Sequence, residues 1–262
     1  MNIKSKLLLA LLATSSAAFA QTAPAAPEVP EVTYNVGVVS QYRYRGLAQT
    51  KGDAALQGGV DYANANGFYL GTWGSTIKWI KDAAATSHAG ETKGPVELDL
   101  YGGYKFEAAG FGFDVGYLRY QYLGNTYKNS TAPTVAYVNA NTDEVYGAAT
   151  YGVTTLKYSY AASDLFGFAN SSGSTYWDLS ATFDLGNGYS LVPHAGRQEV
   201  KNHDVNSYTD VALTLNKDLG DGLTASVAAI RTNRKGDTNF ASNLTSYDTA
   251  KNTLVLGVKY SF

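Results

Sequence analysis

From position 32 onward the chain alternates bulky apolar residues with small or polar ones. The carboxy-terminal stretch is the clearest case: Leu254, Leu256, Val258 and Tyr260 fall on one parity, and Thr253, Val255, Gly257, Lys259 and Ser261 on the other. A period of two gives a strand two faces in different surroundings. The run after Gly94 sets Val96, Leu98, Leu100, Gly102, Tyr104 and Phe106 against Glu97, Asp99, Tyr101, Gly103, Lys105 and Glu107. The next sets Phe111, Phe113, Val115 and Tyr117 against Gly112, Asp114 and Gly116. Trp177, Leu179, Ala181, Phe183 and Leu185 oppose Asp178, Ser180, Thr182 and Asp184, while Val211, Leu213 and Leu215 oppose Asp210, Thr214 and Asn216. The pattern predicts about twelve strands, at 32–47, 54–64, 68–80, 95–108, 111–123, 143–151, 153–163, 174–185, 189–201, 207–219, 223–233 and 252–262. The third, ninth and eleventh alternate less cleanly and carry no assigned faces. No segment reaches the run of about 18 apolar residues that a membrane-crossing helix needs.

The connections fall into two kinds. Tight glycine-containing turns at 65–67, 109–110, 152, 186–188 and 220–222 follow every even run, and longer polar links at 81–94, 124–142, 164–173 and 234–251 follow odd ones. Short turns on one rim and long loops on the other is the layout of an outer-membrane barrel. An even strand number lets the sheet close without unpaired edges, which lipid cannot solvate. The expected fold is therefore all-β: a closed antiparallel transmembrane β-barrel of about twelve strands over 32–262, with short periplasmic turns and long extracellular loops. Most runs are near the ~9–11 residues that a tilted strand needs to cross. Carboxylates are costly near the bilayer midplane, so they belong inside. Tyr42, Tyr44, Tyr69, Tyr104, Tyr158, Tyr260 and the tryptophans are expected to form interfacial girdles. The aromatic terminus, Phe262, resembles the signal read by the barrel-assembly machinery of bacterial outer membranes.

Composition sharpens this picture. The 262 residues include 27 Gly, 21 Tyr, 10 Phe, 3 Trp and no Cys, and 16% are charged. So many aromatics with a mean hydropathy of only -0.19 imply apolar surface interleaved with polar surface. The lack of cysteine removes disulfide scaffolds, thiolate metal sites, cysteine nucleophiles and cysteine-linked lipid anchors together. Residues 1–20 read as a signal peptide: Lys4 and Lys6 give the positive end, 7–13 the apolar region, and Ala18-Phe19-Ala20 the cleavage pattern. Cleavage leaves Gln21 as the new terminus and 21–31 as an extended periplasmic leader. Loss of the two lysines takes the formal charge from -2 to -4. No basic stripe suggests a nucleic-acid partner. His88 and His203 fall in expected loops, and only His194 sits on a strand. No histidine pair has metal-ligand spacing and no serine lies in a nucleophile-elbow context, so neither an enzyme nor a metal or cofactor is expected.

The stretch Ser40-Gln41-Tyr42-Arg43-Tyr44-Arg45-Gly46-Leu47-Ala48-Gln49-Thr50, followed by 55–62 and 67–73, resembles the amino-terminal signature of the TorF-type porin family of proteobacteria. The similarity continues through 97–105 and 158–166. Two departures stand out: Asp53-Ala54 replaces a proline-containing turn, and Tyr44 stands where phenylalanine is more usual. The resemblance implies an outer-membrane β-barrel of a family with a poorly defined substrate.

On the first strand so read, Gln41, Arg43 and Arg45 share a face opposite Tyr42 and Tyr44, in the lumen near the long-loop end. Gln57 and Asp61 share the inward face of the second. Arginine suits bidentate pairing with carboxylates, so Asp61, Glu97 or Asp99 are the expected partners of Arg43 and Arg45. Such a cluster is either a selectivity constriction or a network that rigidifies a narrow barrel. The candidate pore-lining set is Gln41, Arg43, Arg45, Gln57, Asp61, Glu97, Asp99, Lys105, Asp114, Asp178 and Asp210. Inward Gly59, Gly103 and Gly116 either keep room for water or ease curvature. The expected function is a passive outer-membrane channel for small hydrophilic solutes, with lipid and lipopolysaccharide around it. The rival is a plugged barrel that serves structure or surface interaction. Twelve strands enclose less room than the ~16–18 of general porins, so inward side chains and loops weigh heavily on which holds.

Overall fold

A computed structural model describes residues 31–83, 93–129, 137–234 and 248–262. The expected signal peptide, the leader up to position 30, and His88 lie outside the described residues. The strands are β1 (Glu31–Val39), β2 (Arg43–Tyr44), β3 (Leu47–Ala48), β4 (Ala55–Ala63), β5 (Phe68–Thr76), β6 (Val96–Ala108), β7 (Phe111–Tyr122) and β8 (Thr142–Tyr151). They continue with β9 (Thr154–Ala161), β10 (Thr175–Ala181), β11 (Phe183–Gly186), β12 (Tyr189–Glu199), β13 (Tyr208–Gly220), β14 (Leu223–Thr232) and β15 (Thr253–Ser261). One short helix, α1 (Trp79–Ala83), follows β5.

Both β10 and β11 pair with β12, so they are one stave interrupted at Thr182. The two-residue strands β2 and β3 pair only with each other. The rest make a closed antiparallel barrel of twelve staves, each bonded to its chain neighbours. Closure is made by β1 against β15, in register from Asn35↔Ser261 to Val39↔Gly257. Just beyond that ladder, Tyr34 and Phe262 exchange both backbone hydrogen bonds, at 2.8 and 2.9 Å. Three of the tight turns, Ala109-Gly110, Asn187-Gly188 and Asp221-Gly222, have positive φ at both central residues. That is the type I′ geometry whose twist matches the flanking strands.

The outer wall is apolar. Leu70, Leu100, Val115, Leu156, Leu179, Leu213, Leu254 and Leu256 are all exposed on the barrel exterior, where lipid would lie. At the short-turn rim, Phe68, Tyr104, Phe106, Phe113, Phe111 and Tyr151 form a chain of ring contacts at 4.7 to 6.1 Å. Phe262 stacks on Tyr34 and Tyr260 at the same rim. Tyr158 packs on the exposed Trp177. Tyr104, Tyr158, Tyr260 and Trp177 thus take the girdle positions expected of them.

Tyr42, Tyr44, Tyr69 and Trp73 do not; all four are buried inside the barrel. The first strand stops at Val39, not at 47. Ser40 makes the last ladder bond, donating to the Leu256 carbonyl at 2.8 Å, and the chain then turns inward, carrying Tyr42 and Tyr44 with it. A run of 32–47 is longer than crossing requires, and its surplus is what folds in. On β5 the outward parity belongs to Phe68 and Leu70, which sends Tyr69 and Trp73 inside. Trp79 lies on α1, where its ring meets Tyr122 and Tyr127 at 5.3 and 5.2 Å. The faces of β5, β12 and β14 are legible here. Trp73, Val192, Ala228 and Ile230 point inward beside polar neighbours such as Ser75, His194, Gln198 and Thr232, so the inward sides of these strands mix apolar with polar residues and give no clean alternation.

The inward glycines are slots for tyrosine rings. A Cβ on Gly71, Gly103 or Gly116 would lie 2.5 Å from the side chain of Tyr101, Tyr69 or Tyr146 respectively, and one on Gly196 only 1.9 Å from Tyr176. Each ring lies against the wall where a neighbouring strand has no side chain. Gly59 is likewise closed in, by the Thr72 carbonyl and the Trp73 ring. Gly116→Val is therefore expected to destabilise the barrel by about 1–3 kcal/mol through overpacking. Gly147→Ala, with nothing within 4 Å, should change stability by less than about 0.5 kcal/mol. Urea titration in lipid vesicles followed by the folded-form shift on cold gels compares the two.

Candidate functional site

The segment that leaves the wall after Val39 forms a miniature hairpin in the lumen. Its tip is Tyr44-Arg45-Gly46-Leu47, with φ of 45° at Arg45 and 80° at Gly46. A Cβ on Gly46 would sit 2.7 Å from the Asp210 Cβ, so only glycine lets the tip press against β13. Arginine seldom adopts the left-handed region, and here its side chain is held from several directions. The guanidinium makes a bidentate pair with Glu144, at 3.0 and 2.8 Å, and donates to the Gln198 Oε1 at 2.8 Å. It also lies 4.1 Å from the Tyr176 ring centre and 4.9 Å from that of Tyr44. Burial opposes the charge on this loop residue, but the Glu144 carboxylate more than offsets it, so the Arg45 pKa lies above its ordinary range.

Arg43 is tied differently. Its Nε donates to the Gln41 Oε1 at 2.9 Å, and its Nη1 to the carbonyls of Thr249 and Gly46 at 2.6 and 3.2 Å. The hydroxyl of Tyr42 donates to Glu97 at 2.6 Å, that of Tyr44 meets the Tyr120 hydroxyl at 2.6 Å, and Tyr120 in turn donates to Glu144 at 3.3 Å. Tyr42, Tyr44, Trp73, Tyr120, Tyr122 and Ile80 pack into one cluster around the hairpin. Arg43, Arg45, Glu97, Asp99 and Glu144 each expose 4% or less of their surface.

This corrects the sequence reading twice. Gln41, Arg43 and Arg45 are not on the first stave but on the infolded segment. The partner of Arg45 is Glu144, not Asp61, Glu97 or Asp99. Glu144 was legible, since it shares the inward parity of β8 opposite the exposed Val145. Gln198 lies on a strand whose alternation gave no faces.

Gln57, Asp61, Glu97, Asp99, Lys105, Asp114, Asp178 and Asp210 all lie on inward parities of their staves. Lys105 stands directly across from Asp114, and Lys157 from Asp178. Gln57 donates to the Ser75 hydroxyl at 3.3 Å. Asp61 accepts from Tyr101, and Asp114 from Tyr69 at 2.6 Å. Asp178 and Asp210 converge on His194, at 3.4 Å from Nδ1 and 2.8 Å from Nε2, and Tyr176 donates to Asp210 at 3.0 Å. Hence five inward carboxylates, Asp61, Glu97, Asp114, Glu144 and Asp210, each carry a tyrosine hydroxyl. Among the described residues no group of three or more acidic or histidine side chains is arranged to hold a metal.

The Arg45–Glu144 pair supports a stability prediction. Arg45→Ala strands Glu144 in a buried site and is expected to cost about 3–5 kcal/mol, as is usual when one member of a buried ion pair is removed. Adding Glu144→Ala should recover part of the loss. A double-mutant cycle by denaturant unfolding in vesicles measures the coupling, and strictly additive losses would show that the pair contributes nothing.

No curated protein matches the sequence. Among solved structures, the chain is similar to the KdgM porin in complex with disordered oligogalacturonate, at 10% identity and a TM-score of 0.50, with 89% of this chain and 99% of that one covered. It is also similar to the NanC porin in its rhombohedral crystal form, at 12% identity and a TM-score of 0.51, covering 88% and 99%. At such identities the likeness establishes the fold, that of an outer-membrane porin barrel. Residues 22–262 match the family described as "Bacterial protein of unknown function (Gcw_chp)", and the chain belongs to that family.

Proposed function

We propose that the protein is a porin-like passive channel of the outer membrane for small hydrophilic solutes, wet from the periplasmic side and narrowed at the extracellular mouth by the infolded hairpin. The observation that carries this reading is the change in solvation along the bore. Lys105, Asp114, Lys157 and Lys259, in the half toward the short turns, and Asp178 across from Lys157 are only half-buried, whereas the charges around the hairpin are almost wholly buried. Charge that is left partly solvated, rather than sealed among packed atoms, needs water beside it, so the former set supports a water-filled half-lumen. Lys105, Asp114 and Asp178 then face the solute. Gln41, Arg43, Arg45, Glu97, Asp99 and Asp210 belong to the constriction, and Gln57 and Asp61 to the wall between. The KdgM porin is described with oligogalacturonate, a hydrophilic solute, which supports the solute class.

The burial of the hairpin also favours a second reading, a plugged barrel whose long loops contact other surface components. Either reading keeps residues 1–20 as an export signal and Phe262 as the contact for the assembly machinery. Both also place lipopolysaccharide against the outer wall. Under both readings the finer family proposed is the TorF-type porins, on the resemblance of the signature at 40–50.

Planar-bilayer conductance separates the two. A channel should show small discrete steps that grow when Arg45→Ala and Glu144→Ala are combined to release the hairpin. Lys157→Glu should shift its ion preference toward cations. Silence of both the native and the released forms would establish the plug.

A further inference from the structure

Three arginines point outward from the barrel: Arg119 on β7, Arg197 on β12 and Arg231 on β14. An arginine on the lipid face is costly at the bilayer midplane and tolerated at the headgroup layer. All three lie near the long-loop ends of their strands, and the girdle ring of Trp177 stands directly across from Arg197. Their level is that of the outer-leaflet headgroups.

The three charges are met differently. Arg119 forms a bidentate pair with Asp143, at 2.8 and 3.0 Å, and the same carboxylate accepts from the Tyr117 hydroxyl. Arg231 is exposed, and its guanidinium makes no hydrogen bond or ion pair with any described residue. Arg197 comes only to 3.8 Å from Glu199, in a pair whose side chains are 46% and 62% exposed. Thr209 of β13 pairs with Arg197, and Val211 with Arg231, so one stave and two residues separate the two arginines. At ordinary strand spacing and rise their Cα atoms are roughly 12 Å apart.

Beside Arg231 the lipid-facing wall is furrowed. Ala229, the neighbouring outward residue of β14, lies between Leu213 on one side and Leu254 on the other, and Pro193 completes the edge. The furrow opens toward lipid and reaches Arg231 at its long-loop end. A second furrow of the outer wall, bounded by Gly58, Val60, Gly74 and Leu98, has no charged residue in its lining. Either suits an acyl chain, but only the first offers a cation to the group that the chain carries. Guanidinium binds phosphate bidentately. A soluble anion gains nothing from the furrow and a neutral lipid gains nothing from the arginines, so the two features together select an acylated phosphate.

We infer that the outer wall from β12 to β15 is a docking site for a phosphorylated glycolipid of the outer leaflet, with phosphate on Arg231 and Arg197 and one acyl chain in the furrow over Ala229. The site belongs to the exterior of the barrel, so it holds for a channel and for a plug alike.

The test titrates the full, delipidated protein in detergent with diphosphoryl lipid A and reads the bound lipid by native mass spectrometry. Phosphatidylglycerol and phosphatidylethanolamine serve as the comparison lipids. The native protein should retain lipid A in preference to either phospholipid. Arg197→Gln combined with Arg231→Gln should weaken that retention at least about tenfold, since charge-assisted pairing to phosphate is lost. Arg231→Gln alone should act in the same direction and decides the matter if the double variant does not fold. Ala229→Trp, which fills the furrow, should also weaken it. Arg119→Gln, which removes a cation already paired with Asp143, should leave retention unchanged. Retention undiminished by the arginine variants or by Ala229→Trp, an equal loss with Arg119→Gln, or equal retention of phosphatidylglycerol would overturn the inference.

Discussion

Lipid offers no hydrogen-bond partner to a peptide group, and that constraint organises the whole molecule. Every stave must find bonded neighbours on both sides, and the last must return to the first, as β15 does to β1. Once the ring is closed, parity decides the destination of each side chain, because successive residues point to opposite faces. An even stave number and two unlike rims follow from the same closure. The interior then inherits whatever the outer wall cannot accept, which is why the charges of β4, β6, β7, β10 and β13 collect there.

What they meet inside differs along the axis. A ring of twelve staves is narrow enough that a single infolded hairpin can fill half of it. The hairpin is secured by charge as much as by packing. Arg45 is held in an unfavourable backbone conformation by Glu144, Gln198 and two rings, and Gly46 gives the tip its close approach to Asp210. Around it, tyrosines lying in glycine slots deliver hydroxyls to carboxylates that would otherwise be left bare. Asp99 is the exception: its Oδ1 is buried without a hydrogen-bond partner. The same wall therefore supports a packed, nearly dry mouth and a wetter half-bore.

The barrel was legible in the sequence because its two solvents impose a period of two and its two rims impose two kinds of link. Strand ends came within a few residues at nearly every stave. The main error, extending the first strand to 47, has a physical origin. Tyr42, Arg43, Tyr44 and Arg45 alternate as faithfully in a lumenal hairpin as they would in the wall, so periodicity cannot separate the two. The Arg45-Gly46 turn and the excess length of that run were the available warnings. The girdle assignments of Tyr42, Tyr44, Tyr69 and Trp73 failed for a related reason, since an aromatic ring suits a packed lumen as well as a headgroup layer. Strands β5, β12 and β14 gave no faces because their inward sides mix apolar with polar residues, as β12 does with Val192, His194 and Gln198. The Arg45–Glu144 pairing, 99 residues apart, depends on the infolding and could not be reached before it was known.

The central claim is that the bore is wet from the short-turn side and narrowed by the hairpin toward the long loops. The chain has no cysteine, so one thiol placed in the bore, as Lys157→Cys, can be followed without background. Its labelling by a membrane-impermeant thiol reagent, added to either side of oriented vesicles, is the most direct measurement. Fast reaction from the short-turn side and much slower reaction from the other is the predicted result. Equal rates from both sides would contradict the hairpin as a constriction, and no reaction from either would contradict the wet bore.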